Sequence, residues 1–121
     1  MEYNKDLGEF DITLIRGVSE TIRFWNIEKV DETGSVVKWD ITGKTIRVHF
    51  KSDPCNSNPD LEKTVNNGGV VIYEDSFDIK FGIETLDLSN EVYLYDILVI
   101  DGDERYTIVH GKLILTGVIT K

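Results

Sequence analysis

The stretch that most constrains how this chain can fold is Glu91-Val92-Tyr93-Leu94-Tyr95-Asp96-Ile97-Leu98-Val99-Ile100-Asp101, followed by Gly102-Asp103-Glu104 and Arg105-Tyr106-Thr107-Ile108-Val109. It reads as a long β-strand, a tight turn and a returning strand. Tyr93, Tyr95, Ile97 and Val99 fall on one face, and Leu94, Leu98 and Ile100 fall on the other, broken by Asp96. Its aromatic and β-branched content argues against a helix. A strand apolar on both faces is central in a sheet or covered on its second face by something else.

The rest of the chain supplies partners of the same kind. Phe10-Asp11-Ile12-Thr13-Leu14-Ile15-Arg16 alternates as a first strand, and Thr21-Ile22-Arg23-Phe24-Trp25-Asn26-Ile27-Glu28-Lys29 reads as a second. Phe24 and Trp25 are adjacent, and regular pleat points neighbours to opposite faces. One of them, read here as Trp25, is therefore expected at an interface or beside a bulge. Asp31-Glu32-Thr33-Gly34-Ser35 is read as a turn into Val36-Val37-Lys38-Trp39-Asp40. Thr45-Ile46-Arg47-Val48-His49-Phe50-Lys51 is the cleanest alternation, with Ile46, Val48 and Phe50 inward. Leu61–Val65, Val70–Tyr73 and Phe77–Ile83 follow as strands, and Glu84–Asn90 holds at most one helical turn. Gly111 is read as a bend before Lys112–Thr116 and a closing Val118-Ile119. Short strands with turn signals every 8 to 12 residues are the pattern of a sandwich or barrel. The expectation is an all-β, antiparallel sandwich of about eight strands, formed by residues 10–121 behind a flexible leader or arm at 1–9.

Charge and cysteine usage narrow the function. The net charge is −9, from 22 acids and 13 bases. Between Ser52 and Glu91 nine acids face two bases, leaving the rest of the chain at −2. Such a surface repels phosphate, so nucleic acid is not expected as a partner. No run approaches the ~20 apolar residues of a membrane-spanning helix, and Met1–Asp6 has no apolar signal-peptide core. The one cysteine, Cys55, lies among acidic and neutral neighbours that do not support a thiolate.

No catalytic, cofactor-binding or metal-ligating residues are assigned. His49 and His110 sit mid-strand without further ligands at zinc spacing. Asp101-Gly102-Asp103-Glu104 lacks the alternating oxygen ligands of a calcium loop and suits a hairpin turn. Asp53/Asp60 and Asp101/Asp103 are acid pairs with nothing to mark them as buried, and no phosphate loop or nucleophile elbow is present. Trp25, Trp39, Tyr73, Tyr93, Tyr95 and Tyr106 would make a sugar-binding platform only if several shared one exposed face.

Tyr93-Leu94-Tyr95, after Leu86-Asp87-Leu88-Ser89-Asn90, fits the tyrosine corner of immunoglobulin-like sandwiches, with Tyr95 at the core position and Tyr93 bonded back to the preceding loop. Together with Asp40-Ile41-Thr42-Gly43-Lys44, Asn67-Gly68-Gly69-Val70, the Tyr-x-Tyr-Asp strand, Asp101-Gly102-Asp103 and Val109-His110-Gly111-Lys112-Leu113, the chain resembles the small immunoglobulin-like virion domains of tailed bacteriophages. These include the N-terminal domain of baseplate upper proteins. The resemblance implies an immunoglobulin-like fold and a non-enzymatic structural role in a tail, baseplate or adsorption apparatus. It implies a virion location after assembly in the host cytoplasm, with other virion proteins or further copies of the chain as partners and no cofactor. Trp25, Leu94 and Leu98 are then the candidate interface. A carbohydrate-binding or receptor-binding module of the same fold is the alternative.

Overall fold

The computed structural model describes residues 8–25, 27–30 and 32–117. Ten strands occur among them: β1 (Ile12–Ile15), β2 (Glu20–Phe24), β3 (Glu28–Val30), β4 (Val36–Lys38), β5 (Thr45–Lys51), β6 (Leu61–Thr64), β7 (Val70–Ile72), β8 (Phe77–Phe81), β9 (Val92–Asp101) and β10 (Glu104–Thr116). A 3-10 helix, Ile83–Asp87, joins β8 to the loop before β9. The strands form a five-stranded sheet in the order β1-β10-β9-β5-β6, a three-stranded sheet β2-β8-β7 and a separate hairpin β3-β4. Apart from that hairpin, this is an all-β sandwich, with β5, β9 and β10 at the centre of the larger sheet and β8 at the centre of the smaller.

The alternation of the long strand sets the core. Tyr93, Tyr95, Ile97 and Val99 are all buried beneath the sheet, alongside Ile46, Val48 and Phe50 of β5. They meet Phe77, Ile79 and Phe81 of β8 from the opposite sheet, and the Phe50 and Phe81 rings pack edge to face at 5.7 Å. Phe24 stacks on Phe77 at 5.2 Å, which closes the centre of the core. An offset aromatic pair adds roughly 1 kcal/mol beyond the burial of its area.

Several sequence expectations change. Ten strands are present rather than about eight: the expected second strand is divided into β2 and β3, whereas the expected Arg105–Val109 and Lys112–Thr116 run on as one strand, β10. β2 ends at Phe24 and β3 pairs with β4, and Ile27, which an unbroken pleat would set on the face opposite Phe24, is fully buried as well. The architecture is not wholly antiparallel, since β1 runs parallel to β10. The row Phe77–Ile79–Phe81 ends before Ile83, which is exposed, because the chain leaves the sheet at Gly82 and enters the 3-10 helix. Gly111 makes no bend: β10 passes straight through it. The irregularity in β10 is a bulge between Thr107 and Val109, and it turns the consecutive residues Ile108 and Val109 both inward.

The expected leader is also shorter than 1–9 where it is described. Gly8 and Glu9 are tied to β10: the His110 N–H donates to the Gly8 carbonyl at 2.8 Å, and Glu9 forms a parallel bridge with His110. Residues 1–7 and the closing 118–121 lie outside the described residues.

Candidate functional site

Three surfaces collect the residues singled out above. The first is the outer face of the five-stranded sheet. Along β9 it presents Val92, Leu94, Asp96, Leu98 and Ile100, the side that alternation turns away from the core. Leu94 is 39% exposed, while Leu98 and Ile100 are half-buried. Leu94 lies between Lys51 of β5 and Lys112 of β10, Leu98 between Arg47 and Thr107, and Ile100 between Thr45 and Arg105. Arg47, Lys51, Arg105 and Lys112 make this face richer in bases than the acidic chain as a whole.

Nothing in the spacing of His49 and His110 relates one to the other. Register puts them in one row across that face: Glu9, His110, Asp96, His49 and Glu62 are successive cross-strand neighbours. His49 Nε2 lies 2.5 Å from Glu62 Oε2. Strand pairing brings these residues together, so a linear reading carries no signal of the row. Among the described residues no three His, Cys, Asp or Glu side chains are assembled to hold a metal ion.

The second surface is the outer face of the three-stranded sheet. Trp25 continues the outward side of β2 and is 42% exposed; Tyr73, just beyond β7, is 44% exposed. Between them Arg23 grips Asp78 through two hydrogen bonds of 2.6 and 2.9 Å. The Tyr73 hydroxyl donates to the same carboxylate at 3.2 Å, and the Arg23 guanidinium lies 4.8 Å over the Tyr73 ring. Hydrogen bonding to Arg23 holds the Asp78 carboxyl below the usual range although burial opposes this. Trp25 is therefore on the opposite sheet from Leu94 and Leu98, and the three expected interface residues form two surfaces.

The third is a groove of about 810 Å³ between the β3-β4 hairpin and the start of β10. Trp39 and Tyr106 form an aromatic wall, edge to face at 5.2 Å, with Val30 and Ile108 beside them. Glu28, Glu32 and Glu104 bring three carboxylates to its lining, against the single ammonium of Lys29 among the described residues. That ammonium sits 5.6 Å over the Trp39 ring, and the Tyr106 hydroxyl donates to Glu104 Oε2. No sequence pattern pairs the two aromatics, since Trp39 leaves one hairpin and Tyr106 starts a strand 67 positions later.

The remaining named residues have structural settings. The Asn90 N–H donates to the Tyr93 hydroxyl at 2.9 Å, tying the loop before β9 to this side chain. The Tyr95 hydroxyl donates to the Phe10 carbonyl, and burial pushes that phenol's pKa up. Asp53 accepts from the Cys55 N–H at 2.9 Å and Asp60 from the Ser52 N–H at 2.6 Å, so this acid pair caps its own loop. Cys55 is a free, exposed thiol. Asp101 lies 3.6 Å from the Lys44 ammonium. The sequence matches no protein-family model and no curated protein.

Proposed function

We propose that this chain is a non-enzymatic structural protein that works by protein–protein assembly, as a tail, baseplate or adsorption-apparatus component of a tailed phage or prophage. The observation that supports assembly most directly is the outer face of the five-stranded sheet, where Leu94 stands exposed between Lys51 and Lys112, with Leu98 and Ile100 beyond Asp96 on the same side. Exposed apolar side chains set among charged neighbours are the mixture found where the core of an interface meets its rim, and here the Asp96 row divides Leu94 from Leu98 and Ile100. The resemblance of the turn and strand motifs to phage virion domains supplies the setting.

Replacing Leu94 and Leu98 together by asparagine tests this reading. The isolated domain is expected to keep its fold, with unfolding free energy lowered by no more than about 1–2 kcal/mol, since the site is at most half-buried. Self-association in sedimentation velocity, or co-purification with virion proteins, is expected to fall at least about tenfold. A double variant that unfolds would place these leucines in the core and the interface elsewhere. A wild-type chain that is strictly monomeric and absent from purified particles by mass spectrometry would defeat the assembly reading.

A second reading, a carbohydrate-binding module, draws support from Trp25 and Tyr73, two exposed aromatics on one sheet face with the Arg23–Asp78 pair between them. Aromatic faces stack on the apolar faces of sugars, and fixed charged pairs can meet hydroxyls. A glycan array should then show binding that Trp25→Ala abolishes. An array without signal would remove this reading and leave the first intact.

A further inference from the structure

The groove between the β3-β4 hairpin and β10 has a chemistry that the assembly face does not share. Its aromatic wall is built: Trp39 is 5% exposed, held by its backbone N–H donating to the Ile27 carbonyl at 2.9 Å and by the edge of Tyr106. Tyr106 is 40% exposed and turned toward Glu104, so one aromatic ring and one carboxylate are presented together. Glu28 and Glu32 add two more carboxylates to the lining. Such a wall attracts cations through the ring quadrupole, and the carboxylates reinforce the attraction. The molecule already uses this chemistry on itself, because the Lys29 ammonium lies over Trp39.

We propose that this groove docks a lysine or arginine side chain carried on an extended segment of a partner protein. Among the described residues three carboxylates against one ammonium leave it short of positive charge, and the net −9 of the whole chain steers basic segments toward it. Its volume of about 810 Å³ is far more than one ammonium needs. It falls in the range of roughly 300–1,000 Å³ typical of clefts that enclose drug-sized ligands, which suits a few residues of extended chain. Lys29 is then an internal competitor, whose removal opens the aromatic face to the incoming cation. This site is separate from Leu94 and Leu98, so failure of the sheet-face test leaves it standing.

The test is a ¹H–¹⁵N titration of the full chain with three probes: a Gly/Ser hexapeptide carrying one lysine and one arginine, the same peptide with lysine acetylated and arginine replaced by citrulline, and spermidine. The basic peptide is expected to shift the Trp39 indole N–H and the amides of Tyr106, Thr107 and Ile108 in a saturable way. The neutral peptide should shift none of them. Glu104→Gln and Glu28→Gln are each expected to weaken binding about two- to fivefold, and Tyr106→Ala by a similar factor. Lys29→Met is expected to tighten binding about two- to fivefold, a change of opposite sign that general loss of structure would not produce. All four positions are exposed or half-buried, and spectra unchanged outside the groove verify their folding. The proposal is overturned if the basic peptide leaves the groove unmoved. It is also overturned if shifts spread equally over the Asp53–Asp60 loop, if Lys29→Met fails to tighten binding, or if spermidine binds and the peptide does not.

Discussion

Replacing Gly111 by alanine should destabilise the protein by about 3 kcal/mol, lowering its thermal midpoint by roughly 10 °C. A Cβ at this position would lie 2.1 Å from the Phe10 carbonyl oxygen and 2.7 Å from its carbon, both backbone atoms that no side-chain rotation can move. The approach is this close because the N-terminal segment crosses β10 here. The Phe10 N–H donates to the His110 carbonyl at 2.9 Å, and the Lys112 N–H donates to Asp11 Oδ1 at 3.0 Å. Between them the Phe10 carbonyl reaches over Gly111 to the Tyr95 hydroxyl. Relief of the clash must push this crossing away from the sheet and leave the buried Tyr95 hydroxyl without its partner, itself a cost of about 1–3 kcal/mol. Gly102→Ala is the informative control. Gly102 has φ of 61°, but a Cβ there would meet no atom within 4 Å, so only the left-handed backbone penalty of about 1 kcal/mol applies. Equal losses in the two variants, measured by urea denaturation, would refute the crossing as the reason for Gly111.

Phe77→Ala should cost about 3–5 kcal/mol, enough to leave a domain of ordinary stability largely unfolded near its working temperature. Phe77 is fully buried, stacked at 5.2 Å on Phe24, and paired across β8 with both Phe24 of β2 and Ile72 of β7. Every strand of the smaller sheet therefore loses a contact at once. Rigid strands on both sides limit collapse into the cavity, which places the cost toward the upper part of the range. Phe77→Leu retains most of the volume and should lose less than half as much. A chemical-denaturation series of the two variants checks the ordering, and a loss below about 1 kcal/mol for the alanine variant would show that the small sheet is not anchored there.

Much of the large sheet was legible in the sequence because alternation with period two is a local property. Tyr93, Tyr95, Ile97 and Val99 had to share a face whatever the strand paired with, and so did Ile46, Val48 and Phe50. The Phe24–Trp25 pair announced that one aromatic must face outward for the same reason. What misled was irregular backbone. β2 stops at Phe24, and Ile27 is in the core against the parity of the strand, while the bulge after Thr107 buried Ile108 and Val109 together. A strand that ends early and a bulge that adds a residue to the pleat both defeat a count of two.

The candidate surfaces were less legible than the fold. Leu94, Leu98 and Trp25 were identified as outward apolar residues, yet their division between two sheets depended on which strand each sheet recruited. The groove was missed entirely, because Trp39 and Tyr106 meet only when the β3-β4 hairpin stands beside the end of β10.

By itself the sequence determined the strand class, the inward and outward face of each regular strand, the turns and the excess of negative charge, all properties carried by neighbours within a few residues. Tertiary structure alone decided the parallel entry of β1, the crossing of Phe10 over Gly111, the row of histidines and carboxylates and the aromatic groove. These depend on register between segments up to about a hundred residues apart, and register is chosen by the joint burial of both sheets, an energy that no single segment contains.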